Sequence, residues 1–344
     1  MATARGNWEK GEIVLPDGRT VEAAMPVIIS ASRATDLPAF YAELFMADLR
    51  SGWTQWKNPF NGVTSFIGFA KTRLIVFWSK NPAPLLPHLD ELDRRGLNTL
   101  FQFTLNDYQT EGLEPNVPAL ENRIATFRSL SERVGRSRVF WRFDPLVLTD
   151  TLPLDALLER IERLGDRLAP YTERLVFSFI DIHAYRSVAS NLAKAGIAAR
   201  EFTQEEMIRA AQRLGELARN WGITVATCGE AFDLTRYGIE HSHCLDTRHL
   251  VRTFSHDHAL MDFLGARYIS GDLFGGKAHW EAPEKPRKDK GQRTTCGCVP
   301  SKDIGEYNTC PHLCRYCYAN ADAASAVRNW RARRDADVDV RRTP

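Results

Sequence analysis

Six short apolar runs recur along the first two thirds of the chain: PVIIS (26–30), RLIVFW (73–78), LNTLFQFTL (97–105), RVFWRF (138–143), RLVFSFI (174–180) and GITVAT (222–227). They are apolar at consecutive positions and rich in Val, Ile and Phe. That pattern suits strands of a parallel sheet buried on both faces. Amphipathic stretches between them predict helices over about 37–50, 84–95, 117–134, 153–168, 184–195 and 204–220. In the last, Thr203 and Glu206 form a capping box and Gly222 is placed to end the helix. Repeated βα units predict an α/β fold, either a full or partial (β/α) barrel or, as second choice, a doubly wound sheet. Residues 53–68 read as an inserted hairpin turning at Asn61-Gly62. Residues 1–25 read as a lead-in with a small hairpin around Pro16-Asp17-Gly18.

The C-terminal ends of the runs are polar, and in a parallel barrel those ends carry the chemistry. They offer Ser30, Ser32, Arg33 and Asp36; Ser79, Lys80 and Asn81; Gln102, Thr104 and Asn106; Arg142 and Asp144; Ser178 and Asp181; Cys228 and Glu230. Single members also suit structural roles. Asp36 can cap a helix, and Arg142 with Asp144 can be a structural pair. Taken together they describe a polar pocket on one rim.

Of the 344 residues, 44% are hydrophobic and 26% charged, as in ordinary globular proteins. No run of 18 apolar residues is present, so no membrane span is expected. The first residues lack the apolar core of a signal peptide, which points to the cytoplasm. A formal net charge of +2 gives no reason to expect a nucleic-acid partner. The seven cysteines are more telling, because five of them (Cys296, Cys298, Cys310, Cys314 and Cys317) fall within 22 residues. An odd count in a cytosolic chain argues against disulfides, and clustering points to metal.

Two chemistries use such clusters. Zinc prefers four ligands and paired C-x2-C knuckles. Three cysteines spaced x3, x2 can instead hold three irons of a cubane from one loop. The segment Cys310-Pro-His-Leu-Cys314-Arg-Tyr316-Cys317 is similar to the signature of radical S-adenosylmethionine (SAM) enzymes. The resemblance implies a [4Fe–4S] cluster whose open iron chelates SAM, reductive cleavage to a 5′-deoxyadenosyl radical, and hydrogen abstraction from a small-molecule substrate. It also implies a reducing partner such as flavodoxin or ferredoxin. In typical members this loop follows the first barrel strand. Here it is near the C-terminus, as in a circularly permuted barrel, and the residues after it read as a helix. The stretches 30–46, 57–61, 75–82, 101–108, 141–148 and 296–320 further resemble a family known mainly as a domain of unknown function. On this reading residues 26–335 form one permuted barrel, 283–320 the cysteine-rich segment and 336–344 a flexible tail. Tyr316 resembles the aromatic near the SAM adenine, and Ser30, Ser32 and Arg33 are candidates for its methionyl group. Gln102 and Thr104 join them as cofactor contacts. Lys80, Arg142 and Asp144 are candidates for the SAM carboxylate or ribose, or for substrate.

Four cysteines remain: Cys228, Cys244, Cys296 and Cys298. Four thiolates suffice for a second [4Fe–4S] cluster, which would make sulfur insertion an attractive reaction, or for a structural zinc. His241, His243, His249, His256 and His258 crowd one segment, but without the H-E-x-x-H spacing of a hydrolytic zinc site. Two other functions remain open at this stage: radical repair of nucleic-acid lesions, and a zinc-stabilised binding protein without catalysis.

Overall fold

The computed structural model describes residues 8–59, 61–241, 244–271, 277–289 and 292–342, with side chains to residue 335. His243 lies outside the described residues. The chain is built on a seven-stranded, all-parallel sheet. Six strands follow in chain order: β1 (Ile28–Ala31), β2 (Leu74–Ser79), β3 (Asn98–Thr104), β4 (Val139–Leu146), β5 (Arg174–Phe179) and β6 (Thr224–Thr227). Each coincides with one of the apolar runs. The seventh, β7 (Lys302–Asp303), comes from the far end of the chain and lies beside β1, pairing Lys302 with Ile29 and Asp303 with Ser30. The edges of the sheet are β6 and β7, and no pairing joins them among the described residues.

The register explains why the runs are apolar at every position. Ser30 pairs with Val76, Trp78 with Gln102, and Arg142 with both Thr104 and Val176. Neighbours in a parallel pairing share a face, so the even-numbered residues of β1–β5 face one way and the odd-numbered ones the other, up to the register shift at the end of β4 where Leu146 pairs with Phe179. The odd set, including Ile75, Phe77, Phe101, Trp141 and Phe177, packs with helix residues such as Phe45, Leu92, Phe127, Ile161 and Leu214. The even set, including Ile28, Val76, Leu100, Phe140 and Val176, packs against Leu245, Leu250, Phe254, Leu260 and Val299. Both faces are therefore dry, and full burial of each large side chain stabilises by about 1.5–3 kcal/mol.

After a single helical turn at Leu37–Phe40, the longer helices are α1 (Ala42–Ser51), α2 (Leu89–Arg94), α3 (Leu120–Val134), α4 (Leu154–Leu168), α5 (Arg186–Lys194), α6 (Gln204–Trp221), α7 (Thr247–Thr253), α8 (His258–Leu264) and α9 (Ala323–Arg342). The capping box of α6 is formed, and Gly222 ends it at φ 65°. Three details differ from expectation. The 37–50 helix is broken at Tyr41, where the backbone leaves helical geometry and the phenol donates to Thr309 O. The 84–95 stretch begins as a 3₁₀ turn, since Pro87 has no N–H for an α-helical bond. Residues 336–342 continue α9 where a tail was expected. Both hairpins form, Lys10–Val14 with Thr20–Ala24 and Trp53–Lys57 with Thr64–Gly68. No helix among the described residues is long and apolar enough to cross a membrane.

Candidate functional site

All strands run the same way, so the loop after β7 leaves the sheet at the same end as the polar residues that follow β1–β6. That loop carries Cys310, Cys314 and Cys317, all free thiols. It is pinned from several directions. Asn320 Nδ2 donates to Cys310 O at 2.8 Å, and Asn116 Nδ2 to Pro311 O at 2.9 Å. His312 Nε2 lies 2.9 Å from Asp36 Oδ2. Asp36 itself accepts from Ser79 Oγ, Ala39 N and Lys80 N, tying the loop to the ends of β1 and β2. Leu313, inside the x3 interval, has φ 56°, a left-handed conformation that costs a leucine energy and persists only where the surroundings impose it. Burial pushes the Cys310 thiol up to about 12, with Asp36 and Cys317 adding to the effect. Burial likewise raises Cys314 well above the ordinary range, against the pull of Lys80. Binding a metal here means displacing protons from all three sulfurs. The three thiols come from one short, anchored loop, although as they stand they are not grouped so as to hold a metal ion.

Tyr316 lies in a buried polar network. Its hydroxyl bonds Glu114 Oε1 and accepts from Lys80 Nζ at 2.9 Å and Asn106 Nδ2 at 3.0 Å. Glu114 is held by Lys80 at 2.7 Å and Arg123 at 3.7 Å. Burial opposes its ionisation, but these two cations and the bonds from Lys80 and Tyr316 outweigh it, leaving a pKa of about 2. Lys80 is thus engaged by both Glu114 and Tyr316, with 15% of its side chain exposed.

The even face of the sheet assembles most of the remaining sequence candidates. Arg142 donates to Gln102 Oε1 at 3.1 Å and to Asp144 Oδ2 at 2.5 Å, and Gln102 Nε2 donates to Cys244 O at 2.6 Å. Ser178 donates to the other oxygen of Asp144. Thr104 lies beside Arg142 in the register. Burial works against the charge on Asp144, yet Arg142 and Ser178 hold its pKa below the usual range. Arg33 and Arg142 both stack on Trp78, their guanidinium carbons 4.9 and 5.0 Å from the ring centroid. Ser30, Ser32 and Arg33 bind across the β1–β7 seam, to Ser301, Asp303 and both of these respectively.

The other four cysteines converge on this same face. Cys228 Sγ and Cys244 Sγ are 2.8 Å apart. Cys298 neighbours Cys244 and accepts from Leu245 N at 3.4 Å, and Cys296 neighbours Cys298. Contact with Cys244, then burial, raises the Cys228 thiol well above its ordinary range. As they stand, no three or more His, Cys, Asp or Glu side chains among the described residues are grouped so as to hold a metal ion. Two of the crowded histidines are engaged away from the cysteines. His249 is buried with its ring edge-on to Phe140 and Nε2 2.7 Å from Ser137 O, and His256 faces Asn98.

Residues 28–319 match the family described as "Domain of unknown function (DUF1848)". This chain belongs to the DUF1848 family. The match spans the sheet, both sets of cysteines and the pinned loop. No curated protein matches the chain. Among solved structures, a candidate alpha-L-fucosidase from Bacteroides thetaiotaomicron VPI-5482 aligns at 11% identity over 48% of this chain and 64% of that one. Its TM-score of 0.26 is too low to carry an argument about fold or function. Glu114, Trp78, His312 and Asp303, which organise this DUF1848 site, were not singled out from sequence. His312 alone had a signal, its place inside the cysteine motif.

Proposed function

We propose that this DUF1848 protein is a radical SAM enzyme whose cluster is held by Cys310, Cys314 and Cys317. The observation that carries the reading is the position of β7. The strand leading into the motif lies at the sheet edge beside β1, where the first strand of a permuted (β/α) barrel belongs. When bound, a reduced [4Fe–4S] cluster supplies the electron that cleaves SAM to methionine and a 5′-deoxyadenosyl radical, and that radical takes hydrogen from the substrate. The chain's own residues hold and shape the site. Asp36 and His312 fix the loop, and the Glu114–Tyr316–Lys80 network buries the side of the loop away from the rim. Ser30, Ser32 and Arg33 have polar groups engaged at the β1–β7 seam, so their proposed part near the methionyl group is to set backbone position. The rim groups proposed to meet the SAM carboxylate or ribose, or a small-molecule substrate, are Lys80, Thr104, Arg142 and Asp144. Gln102 holds Arg142 in place from below. A flavodoxin- or ferredoxin-like reductant is the proposed electron source.

The test is formation of 5′-deoxyadenosine by anaerobically reconstituted protein with dithionite and SAM. The wild type should form it, and Cys314→Ala should not. Wild-type rates of formation by the Cys314→Ala protein would overturn the assignment.

A further inference from the structure

The thiols of Cys228, Cys244, Cys296 and Cys298 have no part in the motif loop, yet the fold gathers them from three separate stretches of chain. Cys228 follows β6, Cys244 precedes α7, and Cys296 and Cys298 lead toward β7. They form a row, 228 to 244 to 298 to 296, on the even face of the sheet. The middle and the ends of the row differ in access. Cys244 and Cys298, in the middle, are 4% and 3% exposed, whereas Cys228 and Cys296, at the ends, are half-buried. Packing alone does not account for this, since thiols used as small apolar side chains have no reason to seek one another.

Two cations lie beside the row. Arg142 lies within reach of Cys244 and Cys228, and Arg33 faces Cys298 and Cys244. Both guanidinium groups are held by the shared Trp78 ring, with that of Arg142 bonded to Asp144 and that of Arg33 to Ser301. Leu245 N–H already points at Cys298 Sγ, as backbone amides do around metal-bound sulfur. Two sulfurs on one tetrahedral zinc, at about 2.3 Å each, stand about 3.8 Å apart. The 2.8 Å between Cys228 and Cys244 must therefore widen when a metal binds.

We propose that Cys228, Cys244, Cys296 and Cys298 form a four-thiolate metal centre, distinct from the motif loop and flanked by Arg33 and Arg142. The ligand chemistry is that of a soft metal, held either as a single zinc or as an iron–sulfur cubane with no open iron. The inference stands whether or not the motif loop supports radical chemistry.

The experiment measures zinc, iron and acid-labile sulfide per chain in anaerobically purified protein. The motif is first removed by Cys310→Ser, Cys314→Ser and Cys317→Ser together. This protein should retain about one zinc, or about four irons with about four sulfides, the two results distinguishing the metals. Adding Cys244→Ser and Cys298→Ser should remove that metal. A triple variant that holds neither metal would overturn the proposal, as would unchanged metal content after the further two substitutions. Should the variants fail to fold, the wild type is treated with iodoacetamide and each cysteine mapped by mass spectrometry. Half-buried Cys228 and Cys296 should resist alkylation until the metal is stripped. Their rapid modification in the untreated holoprotein would equally overturn the centre.

Discussion

Glu114 gives the sharpest test of how the motif loop is held. It is 7% exposed and lies between two buried cations, with Lys80 at 2.7 Å and Arg123 at 3.7 Å. Glu114→Gln keeps an oxygen for Tyr316 and Asn106 but removes the charge, leaving Lys80 and Arg123 facing each other. Breaking a buried pair by removing one partner costs about 3–5 kcal/mol. Linkage gives a similar figure. The folded carboxyl titrates at about 2 against an ordinary 4.5, a gap worth roughly 3 kcal/mol at about 1.4 kcal/mol per pH unit. Because the folded pKa is depressed, this stability is fully present above about pH 4.5 and is lost as pH falls through 2. For a chain of 344 residues, unfolding entropy near the midpoint is roughly 0.7 kcal/mol per degree, so Glu114→Gln should lower Tm by about 5 °C at pH 7. The difference in stability between wild type and variant, followed by urea denaturation, should shrink by about 2 kcal/mol between pH 7 and pH 3. Glu121→Gln is the control. Its pair with Arg167 is exposed and screened by solvent, so this variant should keep a Tm close to wild type. A Glu114→Gln Tm within about 1 °C of wild type, or a difference that does not shrink on acidification, would refute the reasoning.

Two further outcomes follow from the geometry. A Cβ at Gly215, in the middle of α6, would stand 2.2 Å from the backbone oxygen of Tyr237, which cannot swing aside. Gly215→Ala should therefore destabilise by about 1–3 kcal/mol in thermal unfolding, although alanine is the better helix former. Glu230, beyond the end of β6, is raised to about 7 by burial, with Asp181 and Asp144 adding to the effect. A raised carboxyl costs stability as pH climbs from about 4.5 through 7. Glu230→Gln should thus gain more stability over wild type at pH 8 than at pH 5 in urea denaturation, and an equal gain at both would count against it.

The six sheet strands were legible because burial on both faces leaves a local mark: consecutive Val, Ile and Phe with polar residues where the strand emerges. The helices were legible for the same kind of reason, through one apolar stripe and, at Thr203 and Glu206, a cap. The three motif cysteines could be found because their spacing is short enough to act within one loop. Other features depend on contacts that no local pattern records. β7 is only two residues long, and its place beside β1 is fixed by pairing across some 270 positions, with Ser32 bonded to Asp303. Glu114 sits in an irregular stretch, and only folding brings it between Lys80, Arg123 and Tyr316. The sequence could count four leftover cysteines. Only the tertiary structure could set Cys228, Cys244, Cys298 and Cys296 in a row beside two arginines sharing one indole, because the energy of that arrangement lies in contacts between segments far apart in the chain.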